Sequence, residues 1–196
     1  MCLRAKSTCI CALAVPTPHT TDVLILQHPM EVHHAKNTAR LLHLSLPGSR
    51  MVVGEAFDDA QLQALAPPGN TAVLLYPPQH DDHKCTTPPC VPAPTITLIV
   101  LDATWRKSRK MLHTSPALQR LPRLALHDLP PSAYAIRKAH APGQLSTLEA
   151  TCAALAQLEG DGHGDSAKFA PLLAAFTVFV GLRAAEVAAA RLQAKN

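Results

Sequence analysis

Apolar residues along this chain fall into short continuous runs separated by stretches of helical spacing, and that alternation sets the expected fold. Asp22-Val23-Leu24-Ile25-Leu26-Gln27 reads as a strand ending at His28-Pro29, and residues 36–44 follow with Ala39, Leu41 and Leu42 at helical spacing. Residues 51–56 form a second strand candidate. Asp58 or Asp59 can cap a helix over 60–66, which Pro67-Pro68 stops. Residues 71–76 and 96–101 give a third and a fourth strand, and residues 123–126 a weaker fifth. Helical patterns return over 147–158 and 168–194, with a glycine-rich break at 160–164.

Wholly apolar strands alternating with helices predict an α/β fold, a mostly parallel sheet covered by helices on both faces. Between the third and fourth strands, residues 77–94 hold six of the chain's 18 prolines, which excludes a regular helix or central strand and predicts an exposed loop. With 196 residues and 47% hydrophobic content, the chain suits one sizeable core. The expected organisation is a cysteine-bearing N-terminal segment, 1–20, followed by one α/β domain over 21–196. No run reaches the roughly 18 to 20 consecutive apolar residues of a membrane span. Nor does the N-terminus have the build of a signal peptide. A cytoplasmic protein without a membrane partner is expected, in which six cysteines serve as thiols or metal ligands rather than as a disulfide framework.

Net charge is a modest +4, but it is unevenly spread. Residues 106–138 carry eight Lys or Arg against one acid, Asp128, whereas residues 51–104 carry one Lys against six acids. A local cluster of this kind attracts phosphates within a screening length of about 10 Å. The same run also fits a solvated helical face.

Three strand ends close apolar runs with chemically capable residues: Gln27-His28-Pro29-Met30-Glu31, Leu75-Tyr76-Pro77 and Asp102-Ala103-Thr104-Trp105. In a parallel sheet these loops share one edge, the carboxyl edge where open α/β folds bind ligands. Ser146 or Thr147 would cap the following helix, whose N-terminus suits a carboxylate or phosphate.

These motifs, with Cys-x-Cys near the N-terminus, Asn37-Thr38-Ala39-Arg40 and Ser146-Thr147-Leu148-Glu149-Ala150, occur in an order that resembles the DTW-domain proteins. The resemblance runs from Cys2 to about Ala185. It implies a knotted α/β fold similar to the SPOUT RNA methyltransferases and activity as a tRNA-uridine aminocarboxypropyltransferase. In that reaction the 3-amino-3-carboxypropyl group of S-adenosylmethionine passes to the uridine ring nitrogen between the two carbonyls, and 5′-methylthioadenosine is released. A conventional S-adenosylmethionine-dependent RNA methyltransferase and a non-enzymatic RNA-binding module are the alternatives.

Residue roles follow as expectations. Asp102, Thr104 and Trp105 are the candidate catalytic residues. Asp102 serves either as a base made effective by desolvation or as a carboxylate that caps or orients its neighbours. Trp105 is either a stacking surface for a base or a core anchor. The resemblance places the cofactor against Tyr76, Pro77, Leu101, Leu145, Ser146, Thr147 and Glu149, the last being equally suited to an exposed first turn of a helix. RNA contacts are expected from His28, Glu31, Asn37, Arg40, Arg106, Arg109, Lys110, Arg137 and Lys138. For Asn37 and Arg40, placed on one helical face, bracing of the site is the alternative. Cys2, Cys9 and Cys11 match three members of the family's four-thiolate zinc site, leaving a position for His19, water or nothing. His80, His83, Cys85 and Cys90 have a spacing that could bind a metal but read as a solvated insertion, and Cys152 reads as a small buried apolar residue.

Overall fold

The computed structural model describes residues 1–77, 95–126, 145–160 and 166–193. Five strands form one all-parallel sheet: β1 (Asp22–Gln27), β2 (Arg50–Val53), β3 (Thr71–Leu75), β4 (Ile96–Asp102) and β5 (Arg123–Leu124), in the order β2-β1-β4-β3-β5. The helices are α1 (Ala39–Ser45), α2 (Asp59–Leu65), α3 (Trp105–Thr114), α4 (Pro116–Gln119), α5 (Thr147–Glu159) and α6 (Ala170–Gln193). The expected α/β class is therefore observed, with β1 and β4 at its centre.

Alternate residues of each strand feed two cores, as the period of two requires for a sheet covered on both faces. Val23, Ile25, Leu98 and Val100 join Leu41, Leu42, Leu148, Leu155, Phe176 and Phe179 on the face of α1, α5 and α6. Leu24, Leu26, Leu74 and Ile99 join Leu62, Met111, Leu112 and Leu118 on the face of α2, α3 and α4. Cys2 and Ile10 are buried in the first of these cores, so the N-terminal segment is packed onto the sheet's helical layer.

Several boundaries differ from the pattern-based expectation. The second strand ends at Val53, because Gly54 turns the chain so closely over Phe57 that a Cβ there would stand 2.7 Å from the ring. The first helix starts at Ala39 rather than Lys36, its entry held by Asn37 Oδ1 accepting from Arg40 N at 3.0 Å. Asn37 and Arg40 thus do not share a helical face: Asn37 is a capping group outside the helix. Asp58 caps α2 in a reciprocal box with Gln61.

Helix α6 occupies the C-terminal region expected to be helical. The stretch Ala167–Ala189, which takes in the turn before α6 and most of α6, is long and apolar enough to cross a membrane by length and composition, although no uninterrupted apolar run of that length exists. Phe169, just before α6, and Leu172, Phe176 and Phe179 within it are fully buried against the sheet, Arg183 pairs with Glu186 at 2.7 Å, and Val178 and Leu182 stay exposed. The loop over 78–94, with His80, His83, Cys85 and Cys90, lies outside the described residues, as do 127–144 and 161–165, which hold all of the glycine-rich break but Gly160. The connection between β5 and α5 falls there too.

Candidate active site

Strand order reverses between β1 and β4, which opens a crevice at their carboxyl ends. Gln27 and Asp102 are register partners there, the last rungs of their strands. Asp102 is 4% exposed, and its carboxylate is met from three elements. Gln27 Nε2 donates to Oδ2 at 2.8 Å, Asn37 Nδ2 donates to the same oxygen at 2.5 Å, and Thr147 Oγ1 donates to Oδ1 at 2.9 Å. Burial lifts the Asp102 carboxyl above its usual range, the nearby Glu31 carboxylate adds to that, and the three donors oppose it. The group is thus a desolvated carboxylate that binds β1, the entry to α1 and the start of α5 together.

Gln27 itself, which the motif reading did not single out, is 1% exposed. Because its Nε2 is committed to Asp102, the orientation of the amide is fixed, and Oε1 has no hydrogen-bond partner among the described residues. A buried acceptor of this kind beside a carboxylate is a place for an incoming donor.

His28, Glu31 and Asn37, expected to contact RNA, are each at most 3% exposed. His28 Nδ1 accepts from Met30 N at 3.2 Å, while Nε2 faces Glu55 Oε1 at 3.5 Å. Glu31 Oε1 takes Lys107 Nζ at 2.9 Å, turning that member of the basic run inward. Arg106 and Arg109 stay exposed, and exposed Lys110 reaches Glu55 at 3.1 Å. Arg40 is half-buried. Arg137 and Lys138 lie outside the described residues.

Thr104 caps α3, its Oγ1 accepting from Lys107 N at 3.4 Å, and Trp105 opens the helix. Trp105 is 42% exposed, which removes the core-anchor alternative. Its ring meets Tyr76 edge to face, with centroids 6.1 Å apart at 67°. The Arg123 guanidinium stands 5.6 Å from the Tyr76 ring centre and reaches the Pro77 carbonyl at 3.4 Å. An aromatic and cationic wall therefore flanks the crevice on the β3 side.

Opposite, α5 begins at Ser146, whose Oγ accepts from Glu149 N at 3.2 Å while Glu149 Oε2 accepts from Ser146 N at 2.8 Å. Glu149 is 8% exposed, so it is not the exposed first-turn acid of the alternative reading; one carboxylate oxygen closes a capping box. Leu101 and Leu145 are half-buried beside it, at the end of β4 and before α5. Cys152 is buried on the same helix, and burial pushes its thiol up to about 12.

Away from the crevice, Cys2, Cys9 and Cys11 bring three sulfurs within 4.8 Å of one another. Cys2 Sγ and Cys9 Sγ are 3.7 Å apart, which matches the edge of about 3.8 Å for tetrahedral thiolates on zinc at about 2.3 Å. The Ile10 N–H lowers the Cys2 thiol to about 6 against its desolvation, with help from the Arg4 N–H and the other two cysteines. His19 is not part of the group; its Nδ1 lies 3.2 Å from the Thr17 carbonyl.

The DTW-domain profile matches residues 1–184. The chain belongs to the DTW-domain family. Among its relatives, tRNA-uridine aminocarboxypropyltransferase 2 of Drosophila melanogaster is 34% identical over 173 residues, covering 81% of this chain and 65% of that protein. The Macaca fascicularis protein of the same name is 27% identical, covering 88% of this chain and 60% of its own length. tRNA-uridine aminocarboxypropyltransferase A of Arabidopsis thaliana is 26% identical over 83% of this chain and 72% of that protein. The chain thus spans somewhat under two thirds of the first two. No solved structure matches it.

Proposed function

We propose that this chain carries out tRNA-uridine aminocarboxypropyl transfer from S-adenosylmethionine in the crevice between β1 and β4. The observation that carries the reading is the buried Asp102 carboxylate, held by Gln27, Asn37 and Thr147, beside the half-exposed Trp105 and the exposed cations of α3. The relatives' names agree with it.

In the reaction the uridine imide nitrogen forms a bond to the terminal methylene of the aminocarboxypropyl group. That methylene's bond to sulfur breaks, the electron pair stays on sulfur to give methylthioadenosine, and the imide proton leaves to solvent or a nearby acceptor. The sulfonium is already a strong leaving group, so positioning dominates. With three donors on its two oxygens, Asp102 is better suited to fixing the crevice than to roaming as a base. Thr147 and the α5 N-terminus suit the cofactor's carboxylate, and Gln27 Oε1 suits a donor such as its ammonium. Trp105 and Tyr76 offer surfaces for the uracil or adenine ring. Arg106 and Arg109 approach tRNA phosphates. Cys2, Cys9 and Cys11 would hold a zinc ion as three of its ligands, its contribution being to fold and fix the N-terminal segment.

The test is incubation with unmodified tRNA and S-adenosylmethionine labelled separately in its methyl and aminocarboxypropyl groups, followed by nucleoside mass spectrometry. Aminocarboxypropyl label on uridine with release of methylthioadenosine is expected. Methyl label on RNA would select a methyltransferase, and no label with RNA bound would select a binding module.

A further inference from the structure

The N-terminal thiol cluster and the Asp102 crevice are joined by an unbroken run of contacts that passes through one side chain, Arg4. Cys2 is buried in the cluster, and between it and Arg4 the chain turns at Leu3, which takes a left-handed backbone at φ 57°. A non-glycine residue there is strained and persists only when its surroundings hold it. What holds the Arg4 side of the turn is visible. Nη1 donates to the Ala35 carbonyl at 2.9 Å and Nη2 to the Asn37 carbonyl at 3.2 Å. The guanidinium also stands 5.5 Å from the centre of the buried Phe179 ring, which Arg183 approaches as well at 5.7 Å.

Asn37 is the next link. Its backbone carbonyl takes Arg4, its Oδ1 caps α1 through Arg40 N, and its Nδ2 donates to Asp102 Oδ2. Asn37 precedes α1 and is set by loop contacts rather than by a helical ladder, so its position is sensitive to what grips its backbone. Arg4 grips residues 35 and 37 with a planar fork of donors that a lysine cannot reproduce.

We infer that Arg4 is a positioning residue, which transmits the state of the Cys2, Cys9 and Cys11 cluster to the Asp102 carboxylate by fixing Asn37. Closing the three thiols on a cation settles the turn at Leu3, seats the Arg4 fork, and thereby fixes the shortest of the three hydrogen bonds to Asp102. Opening the cluster loosens that bond without touching substrate. As far as turnover is concerned, this rests on the transferase reading; the link from Arg4 to Asn37 does not.

The experiment follows the Asn37 side-chain amide by NMR in the full chain, stripped of metal and then titrated with zinc ion alone. In the wild type the amide resonances are expected to move on zinc addition and to saturate with it. In Arg4→Gln they start displaced and no longer respond to zinc, while Arg4→Lys keeps part of the response. Arg50→Gln, which breaks the ion pair with Asp22 at the amino ends of the strands, away from Asp102, serves as the control for a general loss of stability and is expected to retain the full response. On a wild type active in aminocarboxypropyl transfer, Arg4→Gln lowers kcat about tenfold or more with KM for tRNA within about twofold, the pattern of a misplaced group. An Asn37 amide in Arg4→Gln with the wild-type position and zinc response overturns the inference, as does unchanged kcat on an active wild type. If the wild type transfers nothing, the functional reading fails, and the resonance arm alone still decides whether Arg4 couples the two sites.

Discussion

Gln27 and Asp102 face each other across the last rung of β1 and β4, and the Gln27 amide donates to the Asp102 carboxylate at 2.8 Å, both side chains being buried. A primary amide beside a buried carboxylate stabilises its charge without neutralising it. Asn37 and Thr147 supply the other two donors from either side, so the geometry of the site is set where three chain segments converge.

Replacing Asp102 with Asn puts an amide NH2 group where these donors expect an acceptor. Transfer is expected to fall about 100-fold or more, because misplacement of this order disrupts alignment of the reacting atoms. On the proposed reading, in which exposed cations elsewhere hold tRNA, tRNA binding should stay within about threefold. Single-turnover kinetics together with a filter-binding titration check both halves; full activity in Asp102→Asn would remove the carboxylate from the mechanism.

Trp105→Ala should leave the thermal midpoint nearly unchanged, since the ring is half-exposed. Binding of the base that stacks on it should weaken by about 1 to 3 kcal/mol. Calorimetry with S-adenosylmethionine and with tRNA, run separately, tells which ring it serves, and no loss for either would dismiss the stacking role.

Lys107→Met takes an ammonium away from Glu31, whose side chain is 2% exposed. Loss of roughly 1 to 3 kcal/mol of stability is expected from a charge-assisted contact of a buried carboxylate. The double replacement Glu31→Gln with Lys107→Met should cost less than the sum of the two single ones, as measured by urea unfolding.

Arg106→Ala and Arg109→Ala should each lower the slope of log affinity against log salt by about 1 if each meets a phosphate. Lys107 is engaged with Glu31, and its replacement should change that slope less. Anisotropy titrations over a salt series give the slopes; identical slopes for wild type and the Arg106→Ala, Arg109→Ala pair would mark α3 as a solvated face.

Glu159 provides a pH signature away from the crevice. Burial acts to raise its carboxyl, but the Lys168 ammonium at 2.6 Å and the Thr20 and Thr21 N–H groups outweigh it, so the net shift is downward from 4.5. A carboxyl whose folded value lies below its unfolded one contributes stability above the unfolded value and loses it as pH falls through the folded one. Glu159→Gln should therefore destabilise the protein at neutral pH and flatten the decline of stability below about pH 4.5, which thermal unfolding over pH 2 to 7 would reveal.

Hydrophobic pattern alone determined the α/β class, since strands such as β4, apolar on both faces apart from Thr97 and its last residue, Asp102, can only be satisfied with both sheet faces covered. Motif order in the chain marked Asp102, Trp105 and Ser146, and local chemistry marked the Asp58 cap, because caps and strand ends depend on neighbouring residues. Tertiary structure decided what those residues touch. Nothing local shows that Gln27 and Asn37 reach an aspartate 75 and 65 positions away, that Lys107 turns inward to Glu31, or that Arg4 grips the loop before α1. Such contacts depend on strand order and register, which are global properties of the sheet: pairing β1 with β4 is what places the first strand's amide against the fourth strand's carboxylate.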